Sequence, residues 1–252
     1  MHIRFDNKIV AVTGAGHGLG RAIAHSFANL GAQVYACDLL EGPLAETTAG
    51  TTIRGSRVDL TDRKQAAAWV HSIEQHCQGR AIDVLVNNAG GVAGQVVRPL
   101  DEVPDEDWDK VFAVNVNAAM AVSRAAMTAM KRAGRGRIIN ISSGAGLQAS
   151  LTGIQAYCAA KHAVVGLTRQ LAHELGPYGI TCNSVAPGFI RSNPSTEKQW
   201  ESYGDDGQAA LVSRIALKRL GTSQDIANGV LFFASELGAF VNGQVIQVDG
   251  GR

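Results

Sequence analysis

The stretch Lys8–Gly20, with the sequence Lys-Ile-Val-Ala-Val-Thr-Gly-Ala-Gly-His-Gly-Leu-Gly, decides the fold of this chain. Residues 8–13 form a short apolar run rich in branched residues, which is typical of a buried strand. The glycines that follow predict a tight loop, and residues 21–30 then have the apolar spacing of a helix, closed by Gly31. A second apolar run over residues 32–37 leads to Asp38. This order of strand, glycine loop, helix and strand predicts a βαβ unit.

The glycines of this loop have the spacing Gly14-x-x-x-Gly18-x-Gly20. Glycine lets the backbone turn tightly and approach a pyrophosphate, and the following helix offers free N–H groups and the positive end of its dipole. A carboxylate at Asp38, at the end of the second strand, can accept hydrogen bonds from an adenosine ribose and repel a 2′-phosphate. The stretch therefore predicts a dinucleotide site that prefers NAD over NADP.

Strands and helices alternate along the rest of the chain. Further strands are predicted over residues 52–58, 82–86, 137–141, 181–186 and 244–248, and helices over 63–77, 105–131, 155–175 and 223–235. This alternation predicts an α/β fold with a doubly wound, parallel, seven-stranded sheet and helices on both faces. No linker, repeat or low-complexity run interrupts it, so we expect residues 1–252 to form a single domain. The polar segment over residues 190–220 is the expected substrate lid.

The predicted helix over residues 155–175 carries Tyr157 and Lys161 one turn apart on the same face. A phenol has a pKa of about 10, and a neighbouring ammonium favours the phenolate and lowers that pKa. A phenol tuned in this way can take a proton from an alcohol or give one to a carbonyl oxygen. The same spacing also occurs by chance on ordinary helices, so its meaning depends on the other residues of the site.

The composition is that of an ordinary globular protein, with 46% hydrophobic residues, 18% charged residues and a formal net charge of +1. No basic block occurs, which argues against nucleic acid or an anionic membrane as the main partner. No apolar run approaches the roughly 18 residues of a membrane span, and residues 1–8 lack the apolar core of a signal peptide. We therefore expect a cytoplasmic protein.

The cysteines and histidines do not form a pattern of metal ligands. Cys37, Cys77, Cys158 and Cys182 lie far apart, as expected of buried, unpaired thiols in a reducing compartment. The seven histidines form no His-x-x-x-His pair and no cluster with cysteine, so no metal site is expected.

Polar or small residues follow most of the predicted strands. In open α/β sheets, ligands bind beyond the carboxyl ends of the strands. Such positions are held by Gly14, Asp38, Asp59, Asn87, Ser143 and Pro187. We therefore expect one edge of the sheet to gather them beside Tyr157 and Lys161.

Seven motifs together resemble the short-chain dehydrogenase/reductase family over essentially the whole chain. They occur in the family's order: Thr13-Gly14-x-x-x-Gly18-x-Gly20, Asn87-Asn88-Ala89-Gly90, Asn115, Ser142-Ser143, Tyr157-x-x-x-Lys161, Pro187-Gly188 and Asp249-Gly250-Gly251. Each motif alone is weak, and their common order makes the resemblance specific. It implies a Rossmann fold and an NAD(P)-dependent oxidoreductase acting on CH–OH groups.

The resemblance implies a role for each matching residue. Tyr157 would be the acid/base, and Lys161 would lower its pKa and hold the nicotinamide ribose. Ser143, rather than Ser142, would hydrogen-bond the substrate oxygen, and Asn115 would hold a water in a proton relay with Lys161. The NAD site would be lined by Gly14, His17, Gly18, Leu19, Gly20, Asp38, Asp59, Leu60, Asn87, Ala89, Gly90, Tyr157, Lys161, Pro187 and Gly188. His17 and Arg21 could also contact a phosphate.

The implied reaction is hydride transfer between NAD(H) and a secondary alcohol or ketone. Gln95, Gln148 and Gln155 indicate a hydroxylated substrate such as a sugar or polyol, or else they are solvated loop residues. The alternative is a 3-oxoacyl thioester reductase of the acyl-carrier-protein type. A remote alternative is a non-catalytic NAD-binding regulator, because a fold does not fix a function.

The resemblance also implies a homotetramer, because members of the family usually pair their two long helices across a two-fold interface. Here these helices are predicted over residues 105–131 and 155–175. Small residues would allow the helices to approach closely, and they are Ala118, Ala119, Ala121, Ala125 and Ala126.

Overall fold

The computed structural model describes residues 3–252, so Met1 and His2 lie outside it. The expectation that residues 1–8 are not a signal peptide therefore falls partly outside the described residues. Residues 3–252 contain seven strands, which are β1 (Ile9–Thr13), β2 (Gln33–Asp38), β3 (Arg54–Arg57), β4 (Val84–Asn87), β5 (Gly136–Ile141), β6 (Ile180–Pro187) and β7 (Val245–Val248). They form one parallel sheet in the order β3-β2-β1-β4-β5-β6-β7, which confirms the predicted doubly wound sheet.

The same described residues form nine α-helices: α1 (Gly18–Asn29), α2 (Glu41–Thr48), α3 (Arg63–His76), α4 (Asp105–Phe112), α5 (Ala118–Ala133), α6 (Gln155–Leu175), α7 (Pro194–Ser202), α8 (Gly204–Ser213) and α9 (Ser223–Ala234). Core residues of α1 and α9, such as Phe27 and Phe233, pack on one face of the sheet. Those of α3, α5 and α6, such as Ile73 and Leu175, pack on the other face. Because both faces are covered, the central strands are apolar throughout. No helix within residues 3–252 is long and apolar enough to cross a membrane.

Three elements differ from the predicted pattern. The helix expected over residues 105–131 is divided into α4 and α5 by a π-helical segment, Ala113–Asn117. A π-helical turn inserts a residue without a clear mark in the apolar spacing, so it could not be predicted from that spacing. Helix α2 was not predicted, because Gly42 and Pro43 interrupt its pattern, although proline is tolerated in a first helical turn. The edge strand β3 is shorter than the predicted residues 52–58.

The alanines expected to face a partner subunit lie mostly inside the chain. Ala118, Ala119, Ala121 and Ala126 are buried within the single chain, and Ala125 is half-buried. Three of them belong to the core between α5, α3 and the sheet, where small side chains allow close packing. Four of the five alanines are therefore covered within the single chain and give little support to a partner interface, and the tetramer stays a prediction from the family resemblance.

The segment expected to act as a lid contains the two helices α7 and α8. Asn193 caps α7 by accepting hydrogen bonds from its first-turn N–H groups, and Pro194 occupies the first turn. Gly204, with φ of +59°, joins the two helices. The rings of Phe189 and Trp200 stack with their centroids 6.0 Å apart, which holds α7 against the end of β6. Closure of this segment over a substrate stays a prediction.

The four cysteines are free thiols. Cys37, Cys77 and Cys182 are buried as expected, whereas Cys158 is only half-buried. Among the described residues, no group of three or more histidine, cysteine or acidic side chains is placed to hold a metal ion.

Candidate active site

The carboxyl ends of the strands meet at one edge of the sheet, because all strands run in the same direction. Strands β1, β2, β4 and β6 end at Thr13, Asp38, Asn87 and Pro187, and Ser143 follows the end of β5. Helix α6 brings Lys161 to this edge, where its Nζ donates a hydrogen bond to the carbonyl oxygen of Ile141 at 2.9 Å. The sheet thus gathers residues from distant parts of the chain into one site.

The glycine loop after β1 has the shape that a pyrophosphate requires. Gly14 and Gly18 have φ of +64° and +57°, where other residues are strained. A Cβ at Gly14 would lie 2.7 Å from the Cα of Ala89, and one at Gly20 would collide with the carbonyl oxygen of Gly14. His17 makes no side-chain cap on α1, and no acidic residue lies in its first turn. The first-turn N–H groups can therefore bind an anion, and the loop fits a dinucleotide.

Asn88 and Thr13 fix the glycine loop, although the sequence had suggested no role for them. Asn88 Nδ2 donates to the carbonyl oxygens of Thr13 and Gly14 at 3.0 and 2.8 Å. The Thr13 hydroxyl oxygen accepts from the N–H groups of Asn88 and Ala89, both at 3.0 Å. These bonds tie the loop to the end of β4. The sequence does contain one sign of these roles, because each residue is polar and lies at the end of an apolar strand.

Asp38 lies beside the glycine loop. Its Oδ2 accepts from the N–H of Gly16 at 2.8 Å, and its Oδ1 accepts from the N–H of Leu40 at 2.9 Å. Each oxygen keeps lone-pair capacity for a ribose hydroxyl. Arg21 donates instead to the carbonyl oxygen of Gly16 and to Glu46 at 2.9 Å. Two of the three guanidinium nitrogens of Arg21 are therefore engaged within the protein, and its contact with a phosphate stays a prediction.

Asn87 was expected at the cofactor, but its side chain points into the protein. It is buried, and its Nδ2 donates to the Ser123 hydroxyl at 2.9 Å and to Asn140 Oδ1 at 2.8 Å. These bonds link β4 to α5 and β5. Any contact of Asn87 with a cofactor is therefore left to its main chain.

Three other expected cofactor residues also use their side chains within the protein. Leu19 and Leu60 pack against the two cores on opposite faces of the sheet. Asp59 Oδ1 accepts from the N–H and the hydroxyl of Thr61 at 2.9 and 2.6 Å, which stabilises the turn before α3. The main chain of the two leucines and the second carboxylate oxygen of Asp59 remain for a cofactor.

Asn115 lies in the π-helical segment and holds the loop that carries Gly90. Its Oδ1 accepts from the N–H of Gly91 at 3.0 Å, and its Nδ2 donates to the carbonyl oxygens of Gly91 and Val111, both at 2.8 Å. A water held by Asn115 in a proton relay could therefore bond only to the second lone pair of Oδ1 or to the main chain. A Cβ at Gly90 would lie 2.5 Å from Asn115 Oδ1 and 3.3 Å from Lys161 Nζ, so only glycine fits between them.

Ser143, rather than Ser142, is the serine that lies near enough to Tyr157 to lower the pKa of its phenol. The Ser143 hydroxyl oxygen accepts from the N–H of Ala145 at 3.1 Å. Ser142 is buried, and its hydroxyl donates to the carbonyl oxygen of Lys161 at 3.3 Å. These contacts favour Ser143 as the group that reaches a substrate oxygen.

Lys161 is almost completely buried, with 4% of its surface exposed. Its Nζ lies 5.7 Å from the centroid of the Tyr157 ring. Burial lowers the pKa of Lys161 to about 8, because a charged amine is poorly solvated inside the protein. The amine thus remains mostly charged at neutral pH and loses its proton in mildly alkaline solution.

The pKa of Tyr157 shifts in the opposite direction to the one expected. Burial raises the pKa of this phenol, and the hydrogen bond with Ser143 lowers it by less. Lys161 does not reverse the shift, since its amine donates to the carbonyl oxygen of Ile141 and lies well away from the ring. The described protein groups alone therefore do not favour the phenolate.

The segment after β6 leads from Gly188 to the glycine loop. A Cβ at Gly188 would lie 2.8 Å from the Cβ of Asp249, which requires glycine there. Further along, the carbonyl oxygen of Ser192 would lie 2.8 Å from a Cβ at Gly18. Ser192, for which the sequence suggested no role, therefore covers one side of the glycine loop.

Comparison with known proteins agrees with this geometry. A family model described as Enoyl-(Acyl carrier protein) reductase matches residues 14–252. The 2-(S)-hydroxypropyl-CoM dehydrogenase 3 of Xanthobacter autotrophicus is 38% identical over 261 residues, covering 100% of this chain and 98% of the relative. The 3-oxoacyl-[acyl-carrier-protein] reductase FabG of Vibrio harveyi is 34% identical over 251 residues, covering 99% and 98%. A crystal structure of a candidate NAD(P)-dependent gluconate 5-dehydrogenase from Beutenbergia cavernae, with NADP at low occupancy, superposes with a TM-score of 0.86 at 38% identity, covering 98% and 97%.

The chain belongs to the short-chain dehydrogenase/reductase family. Its relatives are oxidoreductases that act on hydroxyl or keto groups with a nicotinamide cofactor, and this chain has the same class of chemistry. The names of these relatives point to different substrates: a 3-oxoacyl-[acyl-carrier-protein], 2-(S)-hydroxypropyl-CoM and gluconate. Similarity therefore gives the reaction class, and the substrate has to be argued from the site.

Proposed function

We propose that this protein transfers a hydride between NAD(H) and a secondary alcohol or ketone, with Tyr157 as the general acid/base. The observation that carries the proposal is the buried amine of Lys161, 5.7 Å from the centroid of the Tyr157 ring, at the edge of the sheet where Ser143 follows β5. A nicotinamide bound at this edge of the sheet would supply the redox chemistry. The protein's own residues bind, orient and move one proton.

The proton moves between the substrate oxygen and Tyr157. In oxidation, the Tyr157 phenolate takes the hydroxyl proton, while Ser143 donates a hydrogen bond to the same oxygen. In reduction, the phenol gives its proton to the carbonyl oxygen. The ammonium of Lys161 would hold the hydroxyls of a nicotinamide ribose beside the phenol. Because burial raises the pKa of Tyr157, oxidation is expected to become faster as the pH rises.

The preference for NAD over NADP is inferred from Asp38. Its carboxylate lies at the end of β2 and is already oriented by the N–H groups of Gly16 and Leu40. A negative charge at this position accepts the hydrogens of ribose hydroxyls and repels a 2′-phosphate.

The surroundings of the site favour a substrate with an apolar arm over a sugar or polyol. Gln155 Nε2 donates to the carbonyl oxygen of Arg98 at 3.0 Å, and Gln95 lies near Asp107, where it lowers the pKa of that carboxyl. Of the three amides that suggested hydroxyl recognition, Gln155 is thus engaged within the protein and Gln95 faces a carboxylate.

Exposed apolar side chains lie on the two loops that flank Tyr157. Val96 and Val97 are 63% and 67% exposed, and Leu147 and Leu151 are 38% and 39% exposed. We call these four residues the apolar rim. The loops touch each other, since a Cβ at Gly153 would lie 3.2 Å from Val97 Cγ2. Exposed apolar groups beside a catalytic site typically contact ligand, so the rim favours the 3-oxoacyl alternative.

A homologous series of ketones and 3-oxoacyl thioesters tests the apolar arm. Each methylene buried against the rim contributes about 0.8 kcal/mol, so kcat/KM should rise about fourfold per methylene. Val97→Ser and Leu151→Ser should flatten this rise. Leu237→Ser is the matched control, because Leu237 is similarly exposed but follows α9 at the opposite edge of the sheet. A preference for sugars or polyols with no dependence on chain length would contradict the apolar arm.

A substrate panel run with NAD and NADP side by side tests the reaction class and the cofactor together. We expect NADH absorbance to change with at least one alcohol or ketone, and more weakly with the phosphorylated cofactor. Silence across the panel, with NAD still bound, would support the remote alternative of a regulator.

We further propose, from the family resemblance, a cytoplasmic homotetramer that has no nucleic acid or membrane partner. A tetrameric elution volume at micromolar concentration supports this assembly, and a monomeric one contradicts it.

A further inference from the structure

We propose that Cys158 is a positioning residue, which anchors the turn after Ser143 to helix α6 and so orients the Ser143 hydroxyl beside Tyr157. The inference rests on the roles proposed above for these two residues. Cys158 directly follows Tyr157 in α6, and its side chain leaves the helix about 100° away from the phenol. It therefore contacts the turn of residues 144–148 rather than the substrate.

Two hydrogen bonds connect the Cys158 thiol to the Ser143 hydroxyl. The thiol donates to the carbonyl oxygen of Ala145 at 3.3 Å and lies 3.5 Å from that of Gln148. The N–H of the same Ala145 donates to Ser143 Oγ at 3.1 Å. Ala145 is thus hydrogen-bonded through its carbonyl oxygen to Cys158 of α6, and through its N–H to Ser143. This arrangement orients the serine oxygen and leaves its hydrogen for Tyr157 or a substrate oxygen.

The other side of the turn lies directly on α6. A Cβ at Gly146 would lie 2.7 Å from the carbonyl oxygen of Lys161, so only glycine allows this approach. The Ser142 hydroxyl donates to the same carbonyl oxygen at 3.3 Å. The contacts of Gly146 and Ser142 do not involve Ala145 or Gln148. The Cys158 thiol lies against these two residues and so completes the attachment of the turn to α6.

The neighbouring His162 does not make Cys158 a nucleophile. Its Nδ1 lies 3.8 Å from the thiol sulfur but only 2.9 Å from the main-chain oxygen of Cys158. A ring nitrogen that donates to a carbonyl oxygen cannot also accept the thiol proton. The thiol hydrogen is therefore directed to the turn, as a positioning role requires.

Cys158→Ala should lower kcat about two- to fivefold and leave the KM for NAD unchanged, since a weak S–H···O bond is lost near the chemistry and away from the cofactor. The pH midpoint of oxidation should rise by a few tenths, because a looser Ser143 lowers the pKa of Tyr157 less. Lys161 is the charged group that α6 places near the phenol, and the turn of residues 144–148 carries no titratable side chain. Cys158→Ser can still donate and should restore most of both values.

His162→Ala is the matched control, and we expect it to behave like the parent enzyme. The positioning role is overturned if Cys158→Ala keeps the parent kcat and pH midpoint, if Cys158→Ser is as impaired as Cys158→Ala, or if His162→Ala causes the same loss. The pKa of Tyr157 can also be measured without turnover, by titrating tyrosinate absorbance. Subtracting the titration of the same variant with Tyr157→Phe isolates the signal of Tyr157. A parent enzyme whose activity does not depend on Tyr157 would refute the proposed function, whereas a Tyr157-dependent enzyme indifferent to Cys158→Ala would refute only this inference.

Discussion

Replacing Lys161 with methionine is expected to favour the folded state at neutral pH while it removes activity. Lys161 is 4% exposed, and burial lowers its pKa from 10.5 to about 8. The folded pKa lies below the unfolded one, so the buried charge destabilises the fold below about pH 8, and stability is regained as the pH rises towards the unfolded pKa.

The magnitude follows from these two pKa values. A lowering from 10.5 to about 8 corresponds to a cost of about 3 kcal/mol at neutral pH. Methionine removes this cost but leaves the carbonyl oxygen of Ile141 without its donor, which costs about 1–3 kcal/mol. The second term does not depend on pH. We therefore expect the difference in free energy of unfolding between Lys161→Met and the parent to fall by about 2.5 kcal/mol between pH 7 and about pH 10.

Denaturant unfolding at several pH values measures this difference. Lys198→Met is the control, because Lys198 is an exposed lysine on α7 and its loss should give no such trend. A difference between Lys161→Met and the parent that stays constant across this pH range would refute the reasoning, and so would full activity in the variant.

Two further substitutions test the cofactor site. Asp38→Ala should weaken NAD binding about 10- to 100-fold, because hydrogen bonds to a charged group are lost, and should weaken NADP binding less; an unchanged ratio of the two dissociation constants would show that Asp38 only supports the loop. Gly90→Ala should abolish most turnover and destabilise the fold by about 1–3 kcal/mol, because its Cβ would displace Asn115 from Gly91. Gly166→Ala has no atom within 4 Å of the added Cβ and should keep its activity; equal behaviour of the two alanine variants would contradict the close fit at Gly90.

The seven parallel strands could be predicted from the sequence. Helices cover both faces of the sheet, so the strands are short apolar runs with polar or small residues at their ends. The exposed edge strand β3 was less well defined, since all four of its residues are exposed and do not follow the apolar pattern. The π-helical segment around Asn115 could not be predicted, because one inserted residue depends on the packing of α4 and α5 rather than on local composition.

The sequence also predicted which candidate site residues lie together, but not how their side chains bond. Tyr157 and Lys161 share one helix, so their spacing placed them together. The direction of the pKa shift of Tyr157 was wrong, because it depends on burial and on Lys161 bonding to Ile141, which only the tertiary structure determines. The inward side chain of Asn87 was missed for the same reason, since its partners lie 36 and 53 residues away.

The Tyr157→Phe variant tests the central claim most directly, because phenylalanine keeps the ring and removes only the hydroxyl. We expect NAD to bind with nearly the parent affinity, measured by calorimetry, and turnover to fall by about 10²- to 10⁴-fold or more. Turnover within a few-fold of the parent, with NAD bound, would contradict the role of this phenol in moving the proton.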